Sequence, residues 1–186
     1  MSETADRDRL LALIKERAIV HGRVTLSSGR EADYYVDLRR ISLDGQAAPL
    51  VGRVMRSLVA DLEFDAVGGL TLGADPVAGA MLHAAAAAGE RLDAFVVRKA
   101  GKAHGLQQRI EVPSIVGRRV LIVEDTSTTG ASPLEAAEAA RETGAEVVGI
   151  ATIADRATGA ADRFAAAGLP YRYAFSLADL GLDRVS

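Results

Sequence analysis

The chain has no cysteine and no tryptophan, and only three of its 22 basic residues are lysine. Without cysteine there is no disulfide framework, no thiol nucleophile and no zinc–thiolate site, a composition suited to a reducing cytoplasm. Long apolar runs are missing too. No uncharged apolar stretch reaches the length of a membrane span, and the opening Met1-Ser2-Glu3-Thr4-Ala5-Asp6-Arg7 is polar and charged, so neither a membrane helix nor a signal segment is expected. A surplus of positive charge is also absent. The formal net charge is −3, which argues against a general nucleic-acid binder. What is there is 186 residues, 49% of them hydrophobic, enough for one domain spanning 1–186 with one full core.

The scarce residues are unevenly placed. Two of the four tyrosines, Tyr34 and Tyr35, are neighbours, and two of the three lysines, Lys99 and Lys102, lie within four positions of each other. A chain that otherwise uses arginine has a reason to use lysine there.

Hydrophobic periodicity alternates along the chain. Leu10, Leu11, Leu13, Ile14 and Ala18 recur at helical spacing, and Val24–Leu26 with Tyr34–Leu38 read as two short strands around the polar turn Ser27-Ser28-Gly29-Arg30. Residues 47–62 read as a helix and 66–68 as a strand. Pro76 opens an Ala-rich helix to about Ala88, and Ala94–Val97 and Val120–Val123 are strands of the buried type. Ser132-Pro133-Leu134-Glu135 reads as a helix start with Ser132 as N-cap. Strand 147–153, helix 159–167 and strand 171–174 follow. Continuously apolar strands alternating with helices predict a doubly wound α/β domain, a mostly parallel sheet with helices on both faces. The expected division is a small N-terminal helix and hood over about 1–45 and an α/β core over about 46–175. Ligands of such sheets collect beyond the carboxyl ends of the strands, so the loops after Val67, Val97, Val123 and Ile153 are where chemistry is sought.

The run from Val120 to Ser132 is an apolar strand, two carboxylates, a turn rich in hydroxyls and glycine, and a helix start. Backbone N–H groups at a helix N-terminus and the positive end of its dipole make such a turn an anion cradle. Glu124 and Asp125, just before it, suit sugar hydroxyls, so the combined ligand is a sugar phosphate. The plainer reading is good turn chemistry alone. A receiver domain is excluded because no lysine follows Lys102, and a P-loop NTPase because no G-x-x-x-x-G-K-[ST] occurs.

This stretch resembles the 5-phosphoribosyl pyrophosphate (PRPP) motif of type I phosphoribosyltransferases at Glu124, Asp125, Thr128, Thr129, Gly130 and Ser132. The resemblance implies that Thr126, Ser127, Thr128, Thr129, Gly130, Ala131 and Ser132 hold the 5-phosphate and that Glu124 and Asp125 face the ribose hydroxyls. The segment Arg98-Lys99-Ala100-Gly101-Lys102-Ala103-His104-Gly105 reads by itself as a solvated charge run or as a cationic lid bearing compact ammonium groups. It is similar to the catalytic loop of orotate phosphoribosyltransferases, which covers the pyrophosphate from the partner subunit of a dimer. That likeness implies pyrophosphate contacts for Arg98, Lys99, Lys102 and His104, with Lys102 and His104 catalytic.

Residues Thr25 to Arg39 resemble the same family's N-terminal segment, which forms a hood near the nucleobase. Tyr34 and Tyr35 alternate across a strand, so one can pack inward while the other faces the ligand. Asp155-Arg156 matches the family's D-R, whose arginine pairs with the orotate carboxylate; an isolated pair of this kind reads equally as a surface salt bridge. Thr128 joins Arg156, Tyr34 and Tyr35 as an orotate contact. The chain departs from the pattern at Ser27 and Gly73, where several orotate enzymes carry lysine, and at Thr126 and Ser127, which replace a branched apolar pair. The resemblance implies transfer of the 5-phosphoribosyl group from PRPP to orotate, in UMP synthesis, by a cytoplasmic homodimer. Mg²⁺ is the implied cofactor, bound mainly through PRPP and water with no metal ligand assigned directly. No nucleic acid and no membrane are involved. The alternatives are a purine or other nucleobase phosphoribosyltransferase, and a nucleotide-sensing regulator on the same fold.

Overall fold

Leu10, Ile14 and Ala18 fall one turn apart and are fully buried, so the first helix, α1 (Glu3–Arg17), packs one stripe inward. The computed structural model describes residues 3–25, 31–99, 109–111 and 113–182. Strands β1 (Ile19–Thr25) and β2 (Glu31–Val36) pair antiparallel as a separate two-stranded sheet, from Ile19 opposite Val36 to Thr25 opposite Glu31, with an irregularity between His21 and Val24. A short helix, α2 (Arg39–Ser42), leads to α3 (Ala48–Leu58), where Pro49 sits in the first turn and Leu50, Val51, Val54 and Met55 form the buried face.

The core then alternates strand and helix: β3 (Ala66–Leu70), α4 (Ala74–Ala87), β4 (Asp93–Val97), β5 (Ile110–Glu111), β6 (Arg119–Ser127), α5 (Ala131–Glu142), β7 (Glu146–Asp155), α6 (Ala160–Ala166), β8 (Tyr171–Ser176) and α7 (Leu177–Leu180). The sheet order is β5-β4-β3-β6-β7-β8, with every pair parallel except β4 and β5. Val120 and Ile122 of β6 pack into the hydrophobic cluster of α5 and α6, whereas Leu121 and Val123 pack into that of α1, α3 and α4. Burial on both faces is why this strand reads as an uninterrupted apolar run. From β3 the chain winds out through β4 to β5, then returns to β6 on the other side of β3. The β3/β6 boundary is therefore the topological switch point, the place where ligands of such sheets bind.

The predicted doubly wound sheet is present, with differences at its ends. β6 runs on to Ser127 and β7 to Asp155, because the ladder continues through Glu124–Thr152, Thr126–Ala154 and Ser127–Asp155. The α4 helix begins at Ala74, two residues before Pro76. Ser132 is not the N-cap of α5: Gly130 is, with φ +75° and no side-chain cap hydrogen bond. Its left-handed conformation turns the chain into the helix two residues sooner and leaves Ser132 in the first turn. The α2, β5 and α7 elements were not expected. The last of these opens on a capping box in which Ser176 Oγ accepts from Asp179 N and Asp179 accepts from Ser176 N.

Candidate active site

The ends of β3 and β6 bring the site together. A Cβ built on Gly73 would strike Glu124 Oε1 and stand 3.0 Å from Asp125 Oδ1, so the backbone after β3 rests directly on the two carboxylates. Glu124 is buried at 8% exposure. Burial first, and then the charge of Asp125, pushes its pKa up to about 8; Asp75 adds in the same direction. Burial also raises Asp125, while the Thr126 N–H, 2.6 Å from its Oδ1, and the nearby Arg39 guanidinium oppose the rise. The pair is thus short of positive charge, and glycine at 73 supplies none. Asp37 holds Arg39, Oδ1 to Nε at 2.9 Å, beside this acidic pair.

Beyond Ser127 the chain makes the expected turn. Thr128 and Thr129 are exposed, and Gly130 is buried at the helix entrance. Only glycine fits there on two counts: its φ is positive, and an added Cβ would lie 2.8 Å from the Phe164 ring. Ser127, 1% exposed, stands where an apolar residue was the expectation. The nearby Tyr171 hydroxyl lies 2.9 Å from Thr152 Oγ1, and burial raises its pKa. The Ser127 hydroxyl is buried without a hydrogen-bond partner among the described residues, so the structure gives the polar side chain at 127 no compensating contact.

Across the sheet edge, Tyr34 packs against the larger core. Tyr35 projects from the opposite side of β2, near enough to Arg39 to favour its charge. Asp155 is buried, and its Oδ1 accepts from Ala157 N at 3.2 Å. The surface-salt-bridge reading of Asp155-Arg156 therefore fails. Among the described residues Arg156 forms no ion pair, and the residue is half-buried. Arg98 is instead engaged: its Nη1 lies 3.2 Å from Glu111 Oε1, and its N–H donates to Arg109 O at 2.8 Å, closing the ladder at the base of the cationic segment. Lys99 is exposed there. Lys102, His104 and Ser27 lie outside the described residues.

Arg39 and Asp75 are site neighbours that the motif reading did not single out. Arg39 stood inside a quoted segment, but only folding brings it to Asp125. Among the described residues no group of three or more His, Cys, Asp or Glu could hold a metal ion, so the site offers two adjacent carboxylates and no closed cage.

A sugar-phosphate cradle at the switch point of a doubly wound sheet defines a class, and the Phosphoribosyl transferase domain family matches residues 43–167. Orotate phosphoribosyltransferase of Streptomyces avermitilis is 74% identical over 95% of this chain and 98% of its own. The structure of the Mycobacterium tuberculosis orotate phosphoribosyltransferase with Fe(III) dicitrate superposes with a TM-score of 0.88 at 60% identity, covering 95% of this chain and 99% of that one. A structure of the M. tuberculosis enzyme with PRPP gives 0.84 at 55% identity over 95% and 99%. The chain belongs to the orotate phosphoribosyltransferase family.

Proposed function

We propose that this chain transfers the 5-phosphoribosyl group of PRPP to the ring nitrogen of orotate, releasing pyrophosphate and forming orotidine 5-phosphate for UMP synthesis. The observation that carries the reading is the meeting, at one switch point, of a Gly130-capped anion turn and the Glu124–Asp125 pair. Thr126 to Ser132 take the 5-phosphate through backbone N–H groups and hydroxyls, aided by the dipole of α5. Glu124 and Asp125 accept from the ribose 2- and 3-hydroxyls; the raised pKa of the pair suits it to a ligand that brings donors and cations with it.

Breaking the bond from C1 to pyrophosphate leaves a ribose with oxocarbenium character while negative charge grows on the departing oxygens. Electrostatic stabilisation of that charge is the main catalytic demand. Lys102 and His104 meet it, with Arg98 and Lys99 beside them. Lys102 is first among these as a compact ammonium able to follow the leaving oxygen. Arg156 pairs with the orotate carboxylate in a two-pronged geometry, and Thr128 and Tyr35 bound the base while Tyr34 holds the hood to the core. The two adjacent carboxylates suit Mg²⁺, which takes few protein ligands and keeps substrate phosphates and water around it. When bound, Mg²⁺ neutralises pyrophosphate charge.

The enzyme acts as a homodimer in the cytoplasm on this reading. Leu43, 71% exposed, lines an apolar groove of about 510 Å³ together with Pro49, Pro76, Ala80 and Ala87, and Leu72 is a second exposed apolar side chain at 70%. A second copy covering the groove would bury Leu43. Among the described residues no helix is long and apolar enough to cross a membrane. The deciding assay follows orotate loss with PRPP and Mg²⁺, beside adenine, hypoxanthine and uracil. Turnover of one of these bases in preference to orotate would sink the assignment, and a monomer by sedimentation at micromolar protein would remove the dimer.

A further inference from the structure

Three consecutive carbonyls of the anion turn are held from outside it. The Arg156 N–H donates to Ser127 O at 3.0 Å. Thr158 Oγ1 donates to Thr128 O at 2.5 Å, and Arg163 Nη1 donates to Thr129 O at 2.8 Å. All three donors come from one stretch: the residue that follows β7, the turn after it, and the last turn of α6. In a trans peptide the C=O and the following N–H point in opposite directions. Drawing these carbonyls toward α6 therefore turns the N–H groups of Thr128, Thr129 and Gly130 the other way. Among the described residues those three N–H groups have no acceptor. Three parallel unpaired donors next to a helix N-terminus form an anion-binding concavity. Left to itself, an exposed turn of Thr-Thr-Gly has many conformations, most of which point at least one carbonyl into the pocket. Such a carbonyl would repel a phosphate.

We infer that Thr158 and Arg163 are positioning residues for PRPP: they touch neither substrate nor reacting atoms, but fix the peptide orientations that the 5-phosphate requires. This rests on the functional reading above and extends it to a second ring of residues. It also makes Arg156 serve both substrates, with its side chain on the acidic base and its backbone N–H on the phosphate turn.

Both residues are exposed, so removing their side chains should cost the fold little. That separates positioning from structure. Thr158→Val keeps the shape and removes the hydroxyl, Thr158→Ser restores it, and Arg163→Ala removes the guanidinium. The expected result is a rise in the PRPP Kd, measured calorimetrically with Mg²⁺, of about fivefold for Thr158→Val and about tenfold for Arg163→Ala, the scale of one neutral and one charge-assisted hydrogen bond. The PRPP KM should rise in parallel, with kcat, orotate KM and melting temperature close to wild type, and Thr158→Ser should behave as wild type. Unchanged PRPP affinity in Thr158→Val and Arg163→Ala overturns the inference, as does a Thr158→Ser variant as weak as Thr158→Val. Wild-type protein that binds no PRPP would instead sink the functional reading itself.

Discussion

The proposed phosphate side and the proposed base side of the site are built by different means. On the phosphate side, a strand buried on both faces delivers a turn whose carbonyls are tied down by Arg156, Thr158 and Arg163 and whose helix entrance is a glycine lodged against Phe164. The groups the turn presents are backbone N–H groups, set by one backbone and two side-chain donors. The base side hangs on β1 and β2, a two-stranded sheet outside the main one, of a kind that is marginal unless packed against something. It gains order from one side chain, Tyr34 on the core, and from one backbone hydrogen bond, the Asp37 N–H donating to Ala18 O at 2.9 Å. On the proposed function, the phosphate, the same in every turnover, would meet the turn held by many hydrogen bonds, and the planar base would meet the sheet held by few.

Charge provides the strongest means of breaking that comparison. If the reaction depends on stabilising charge on the leaving pyrophosphate, losing the lysine proposed to meet that charge should exceed any other single loss. Lys102→Ala is expected to lower kcat by about 10²–10³-fold, the cost of removing one preorganised electrostatic contact, while orotate KM stays nearly unchanged. Near-normal turnover in steady-state kinetics would remove Lys102 from its role. Arg156→Ala tests the other side. A guanidinium–carboxylate pair of ordinary strength predicts about a tenfold rise in orotate KM. Since the Arg156 contact to Ser127 uses the backbone N–H, which alanine keeps, PRPP KM should not follow. An orotate KM equal to wild type would take the side chain out of the base site.

What could be read from the sequence divides along the same line. The phosphate side is one contiguous run, Val120 to Ser132, so its strand, acid pair and turn were visible together. Its helix start was misplaced because Ser132-Pro133 carries a good cap signature, and nothing local shows that Gly130 adopts φ +75° first. The lower edge of the cradle was not readable. Thr158 and Arg163 are ordinary exposed residues about thirty positions from the carbonyls they hold, and only the pairing of β6 with β7 brings them there. The same holds for Gly73 on Glu124 and Arg39 beside Asp125, contacts made across the switch point by residues distant in the chain. The capping box of α7 was readable in principle, from Ser176 and Asp179, but the element is a single turn with no periodicity to flag it.

The smallest expected effect tests how the base side is anchored. The hood follows α1, and α1 is fastened to α3 by Arg53, whose Nε and Nη2 lie 2.6 and 3.1 Å from the two oxygens of Asp6. The Asp6 side chain is 9% exposed and that of Arg53 40%, so solvent screens one partner, and the pair is worth about 1–2 kcal/mol rather than the figure for a fully buried one. The Arg53 guanidinium holds the Asp6 carboxyl below the usual carboxylate range. A group depressed in the folded state stabilises it above the unfolded pKa, about 3.9, and loses that contribution as pH falls through the folded value. Asp6→Asn should therefore melt a few degrees below wild type at pH 7, and the gap should narrow from about pH 5 downward as the wild-type carboxyl takes up its proton. If side chains anchor the base side, this variant should raise orotate KM slightly and leave the PRPP Kd alone. A melting difference independent of pH would show that packing of α1, and not the ion pair, fastens it. A PRPP Kd that moves with the orotate KM would show that the two sides are one rigid unit.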